Sequence, residues 1–172
     1  MKRLHILLIA TLATLFMGSC VKNDLVTFTS TVVEFDAASW NANGAGLTYP
    51  ILTRVPGYGR VASAADPLLS RQSPGIKKFR LNLIGQQLKT DTEVFVILGS
   101  GTTAVAGRHF TTLPATVKIP ANSSFGELSV EILNPGTSSS TPVDLNITIS
   151  GGTNNVKPSE NYKTIGLRIS QL

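Results

Sequence analysis

AVAGRHFTTLPATVKIPANSSFGELSVEIL, residues 104–133, holds the signals that decide the fold. Gly107 and Pro114 bracket a bend, Thr116 to Ile119 is long enough for a short strand, and Pro120-Ala-Asn-Ser-Ser124 supplies a turn. A longer strand follows from Phe125 to Leu133. Successive strand side chains point to opposite faces, so Leu128, Val130 and Ile132 share one face while Glu127, Ser129 and Glu131 share the other. One buried face and one wet face is the signature of a sheet packed on a core, and strand-turn-strand is the repeating unit of a β-sandwich.

The same period recurs on either side. In Ile76 to Ile84, Phe79, Leu81 and Leu83 share a face opposite Lys78, Arg80 and Asn82, which places the basic residues on a solvated face. Thr92 to Leu98 (TEVFVIL) is apolar on both faces and is expected as a central strand. Val143 to Ile149 and Thr164 to Ile169 alternate cleanly, with a last turn from Gly151 to Ser159 between them. A first strand is expected over Leu25 to Phe35, irregular around Val32-Val33. No helical period lasts ten residues. About seven strands separated by turns make an all-β chain, an antiparallel immunoglobulin-like β-sandwich.

Residues 36–75 break the pattern. They hold four of the nine prolines and many Gly, Ala and Ser residues, with only Leu47 to Val55 resembling a strand. Connections usually run about 4–6 residues, so this length means a functional loop or a loop with an irregular edge strand inside it. Trp40, Tyr49 and Tyr58 all lie here. They are the candidate binding residues, as a stacking platform for sugar rings, with the alternative that they plug one end of the sandwich.

The N-terminus reads as an address. Lys2 and Arg3 precede an apolar run from Leu4 to Phe16, too short to span a bilayer, which takes about 20 residues. The run stops at Met17-Gly-Ser-Cys20, which resembles a bacterial lipoprotein signal with Met17 where Leu is usual. Residues 1–19 are thus expected as a signal peptide, Cys20 as the lipidated residue, 20–24 as a tether, and 25–172 as one domain. Location follows: the cell envelope, anchored by lipid on Cys20 to the outer membrane. Cys20 is the only cysteine, so no disulfide, thiol catalysis or cysteine-zinc site is expected. Loss of Lys2 and Arg3 lowers the net charge from +5 to +3, and no basic run is longer than Lys77-Lys78, so nucleic acid is not an expected partner.

The run from Phe79 through Ile132 resembles the Calx-beta family, and more closely Calx-beta-like lipoproteins of Bacteroidota-type bacteria. The likeness rests on Leu81-Asn-Leu-Ile-Gly85, Asp91-Thr-Glu-Val94, Ala104-Val-Ala-Gly107 with Phe110, and Val117-Lys-Ile-Pro120 followed by Gly126. It implies a Calx-beta-like sandwich and says little about activity. The family has Gly-x-Asp-Tyr where this chain has Gly107-Arg-His-Phe110, and the acidic run of calcium-binding members is replaced by Asn134-Pro-Gly-Thr-Ser-Ser-Ser140. Calcium takes about 6–8 oxygen ligands including several carboxylates, so neither a metal nor any other cofactor is expected.

Catalytic signals are weak. His109 has no local nucleophile or carboxylate partner and reads as a turn histidine beside a core phenylalanine. Asp91 with Glu93, or Glu34 with Asp36, has the spacing of two carboxylates on one strand face, the raw material of a glycosidase, but solvated faces look the same. Gly-x-Ser-x-Gly, Walker A and His-Glu-x-x-His are absent. The expectation is a non-enzymatic, lipid-anchored sandwich that binds a glycan or an outer-membrane protein partner, accessory to nutrient uptake. The alternative is a structural spacer or surface-assembly module with no small ligand.

Overall fold

Seven strands of four or more residues form where the alternation is strongest, and two short ones complete the sheets. A computed structural model describes residues 30–172, so the signal peptide, Cys20, the tether and the start of the first expected strand lie outside the described residues. The elements are β1 (Val32–Phe35), α1 (Asp36–Trp40), β2 (Ile51–Leu52), β3 (Gly75–Ile84), β4 (Thr92–Leu98), β5 (Thr116–Ile119), β6 (Phe125–Ile132), β7 (Val143–Gly152), β8 (Lys157–Pro158) and β9 (Thr164–Ile169). One sheet has the order β6-β3-β1-β8, the other β2-β9-β7-β4-β5. The long pairings are antiparallel, but the two-residue edge strands β8 and β2 pair in parallel with β1 and β9.

The core is the set of inward side chains of both sheets: Phe79, Leu81 and Leu83 of β3, Leu128, Val130 and Ile132 of β6, and the buried Ile and Leu residues of β7 and β9. Interdigitation of two such faces removes apolar area from water at about 25 cal/mol per Å², the main term holding the layers together.

Three expectations need correction. β1 alternates regularly from Val32, with Val33 and Phe35 buried, so the irregularity expected at Val32-Val33 is not there. β4 is central in hydrogen-bonding order, between β7 and β5, yet its second face is open: Phe95 and Ile97 point to solvent. A run apolar on both faces therefore marked a strand but not double coverage. The 151–159 turn contains β8, which proline and brevity conceal.

The 36–75 segment closes one side of the sandwich with aliphatic residues. Ala37, Ala38, Leu52 and Leu69 are buried in the core and Val55 packs against it. Its strand β2 is the irregular edge strand expected of so long a connection. An ion pair between Arg60 and buried Asp66 pins its tip, with the Ser63 N–H donating to Asp66 Oδ2 at 2.7 Å.

At the corner where β5 passes under β6 only glycine fits. A Cβ on Gly126 would stand 2.8 Å from Ile119 Cγ1 and 2.9 Å from the Lys118 carbonyl oxygen. This close approach sets Lys118 beside Phe125, which shapes the cleft described next.

Candidate functional site

Asp36 is the foundation of the site. It follows Phe35, whose ring enters the core, so its own carboxylate emerges on the outer face of the β6-β3-β1-β8 sheet and opens α1. There Oδ1 accepts from Arg80 Nη2 at 2.7 Å and Asn82 Nδ2 at 3.0 Å, while Oδ2 accepts from the Gly59 N–H at 2.8 Å. Burial pushes its pKa up, but hydrogen bonds from Gly59, Arg80 and Asn82 outweigh that and hold it below the usual carboxylate value.

The Gly59 bond brings Tyr58 over β3. Arg80 lies between two rings, its guanidinium carbon 4.9 Å from the Tyr58 centroid and 4.6 Å from the Phe125 centroid. Both distances are within the range of cation–π attraction. The Tyr58 hydroxyl donates to Glu127 Oε2 at 2.6 Å, and Lys78 Nζ lies 2.7 Å from Glu127 Oε1. Burial and the Glu127 carboxylate push the Tyr58 hydroxyl pKa up to about 12, so it stays a donor. Tyr58, Arg80, Lys118, Pro120, Phe125 and Glu127 line a cleft of about 350 Å³. Tyr58 remains 45% exposed and Phe125 50%.

The structure divides the sequence-derived candidates. Tyr58 joins the cleft. Trp40, at the end of α1 and 49% exposed, does not line it. Tyr49 packs at Gly166 of β9, beside Asn146, on the outer face of the other sheet. The three aromatics therefore form no single platform, and Trp40 and Tyr58 do not plug the core. Arg80, expected in water, is only 23% exposed because the long segment folds back over it. Phe125 is not among the sequence-derived candidates, although a large apolar residue on the polar face of β6 is a usable signal.

The other candidates hold structure. Asp91 forms an ion pair with Lys118 and accepts from the Ala121 N–H at 2.9 Å, so it latches the β5–β6 turn. Glu34 is partly buried and its pKa is raised, by burial first and by the Asp36 charge against the opposing Asn82 bond; with Asp36 committed to three donors, the pair has no free second carboxylate for hydrolysis. His109 is buried, and its Nδ1 accepts from the Val105 N–H at 2.9 Å. Burial first, then Arg108, lowers its pKa below 6.5. The folded state thus holds the neutral ring while the unfolded chain takes up a proton. Stability should be complete above about pH 6.5 and fall as the pH drops toward the lower folded value, by at most about 1.4 kcal/mol per pH unit. His109→Gln should flatten that part of a denaturation-versus-pH curve; an unchanged slope would place the titration elsewhere.

A second cleft, of about 260 Å³, lies along Leu68, Leu69, Pro142 and Leu172. Thr53, Ser140, Ser170 and Gln171 also line it, and its charged side chain, Arg168, is already engaged by Asp144 through two bonds of 2.8 Å.

No family model matches the chain, and no curated protein matches it in sequence. Solved structures do match. A two-domain protein of unknown function from Bacteroides fragilis aligns with TM-score 0.51 at 8% identity, over 82% of this chain and 45% of that one. CBD12 from CALX1.2 aligns with TM-score 0.47 at 17% identity, over 58% of this chain and 40% of that one. The apo-form Calx CBD1 domain aligns with TM-score 0.43 at 16% identity, over 59% of this chain and 87% of that one. The chain thus spans less than half the length of the first two proteins. The two sheets make a β-sandwich, and at 8% identity the likeness to the Bacteroides fragilis protein is one of fold alone.

Proposed function

We propose that the chain is a non-enzymatic binding module, held by lipid on Cys20 at the outer membrane, that recognises a glycan or a partner protein through the outer face of the β6-β3-β1-β8 sheet. The observation that carries this reading is the Tyr58–Arg80–Phe125 stack, two half-exposed rings fixed beside a cleft by a buried carboxylate. Exposed aromatics held rigid are what recognition uses, because little side-chain freedom is lost on binding. A protein accessory to nutrient uptake fits this combination of anchor and binding face. The spacer reading has one observation in its favour: every charge around the cleft already has a partner within the protein.

The anchor is tested by metabolic labelling with a fatty acid. Wild-type protein should take up label and partition with membranes, whereas Cys20→Ala should do neither; equal labelling of both would end the lipoprotein reading. Binding is tested by photo-crosslinking in whole cells from a reactive residue at position 58, alongside a glycan array. A spacer gives neither a crosslink nor an array signal.

A further inference from the structure

We propose that the Tyr58–Arg80–Phe125 cleft takes an uncharged oligosaccharide, with one sugar ring against the exposed part of Phe125 and its hydroxyls bridging Glu127 and Arg80. This rests on the reading of the chain as a binding module and narrows it to a ligand class and a place. Charge decides the class. The cleft's charged walls are Arg80, Lys118 and Glu127, and each is matched, to Asp36, Asp91 and Lys78 respectively. An anionic ligand would meet the Glu127 carboxylate and would have to compete with Asp36 and Asp91 for Arg80 and Lys118, and a cationic one would meet Arg80 and Lys118. An uncharged ligand displaces no ion pair.

Hydrogen-bonding capacity points the same way. Glu127 accepts one bond at each oxygen, from Tyr58 and Lys78, and a carboxylate has about four lone-pair sites. Among the described residues the Arg80 guanidinium donates to protein through Nη2 alone, so Nη1 is free of protein acceptors. Acceptor capacity beside donor capacity suits a hydroxyl, which gives one bond and takes another. Phe125, the Tyr58 ring and Pro120 supply apolar surface for the C–H face of a sugar, and a cleft of about 350 Å³ falls at the lower end of small-ligand sites, about 300–1,000 Å³.

The test is titration calorimetry on the full chain in detergent, using malto-, manno-, xylo- and cello-hexaose as uncharged probes and an oligogalacturonate as the anionic one. At least one uncharged hexaose should bind, the oligogalacturonate should not, and Phe125→Ala should weaken binding about tenfold or more while leaving the melting temperature within a few degrees. Phe95→Ala, an exposed phenylalanine on the other sheet, should bind as wild type does. Sugar binding that Phe125→Ala leaves unchanged overturns the cleft and spares the binding-module reading. Binding of the oligogalacturonate alone overturns the uncharged class. If no probe binds but a crosslink forms from position 58, the sugar proposal falls and the module reading stands; if neither occurs, both fall.

Discussion

Asp36→Ala should destabilise the sandwich by about 3 kcal/mol, the lower end of the cost of removing one partner from a buried charged pair, because the Arg80 side chain stays partly exposed. The carboxylate is almost wholly buried and serves three donors on separate pieces of chain: Gly59 in the long segment, and Arg80 and Asn82 on β3. Its loss leaves an uncompensated guanidinium whose buried Nε already lacks a partner. It also frees the Gly59 N–H, and with it the turn that holds Tyr58 over Arg80. Asp36→Asn should cost less, because the amide oxygen still accepts while the amide nitrogen faces donors. The measurement is urea denaturation, where the midpoint should fall at unchanged slope. A loss below about 1 kcal/mol would mean that Asp36 is ornamental and the cleft has some other foundation. The pH sign follows from the lowered pKa: the contribution is present above the unfolded value of 3.8 and lost as pH falls through the lower folded one.

Strands were legible in this chain because a half-buried sheet writes period two into its residues, as Thr116 to Ile119 and Thr164 to Ile169 both show. β8 was not, since two residues including a proline carry no period. The cleft was half legible. Aromatic content pointed to Tyr58, but alternation alone assigned Arg80 to water, and nothing local says that a residue 22 positions earlier folds over it. The cross-strand register supplies the missing step: Arg80 pairs with Glu127 and Asn82 with Phe125, so opposite charges and an outward ring meet on one face. Register is a tertiary fact, fixed by which strands become neighbours. Asp36 was misjudged for the same reason. Its spacing from Glu34 does put both carboxylates on the outer face, where Asn82 stands opposite Glu34 and donates to Asp36, but its burial against Arg80 and the Gly59 N–H depends on the fold of the long segment.

Phe110→Ala should cost about 3–5 kcal/mol although Phe110 lies outside every named strand, because truncating a buried phenylalanine loses its transfer free energy and leaves a cavity. Its ring is 1% exposed. The backbone around it is fixed to the edge of β6 by the Thr111 N–H donating to the Glu131 carbonyl at 3.0 Å and the Leu133 N–H donating to the His109 carbonyl at 2.9 Å. Those bonds cover the end of an otherwise exposed edge strand and leave the ring little room to be replaced by collapse. Phe95→Ala is the comparison. Phe95 sits in the middle of β4 but is 39% exposed on the solvent face, so its loss should cost about 1 kcal/mol or less. The ordering is the opposite of what strand membership predicts, and it follows from burial alone. Denaturation of the two variants side by side decides it. Equal losses would mean that the 104–114 segment yields to fill the space, and that the cap on β6 is held by backbone bonds without help from the core.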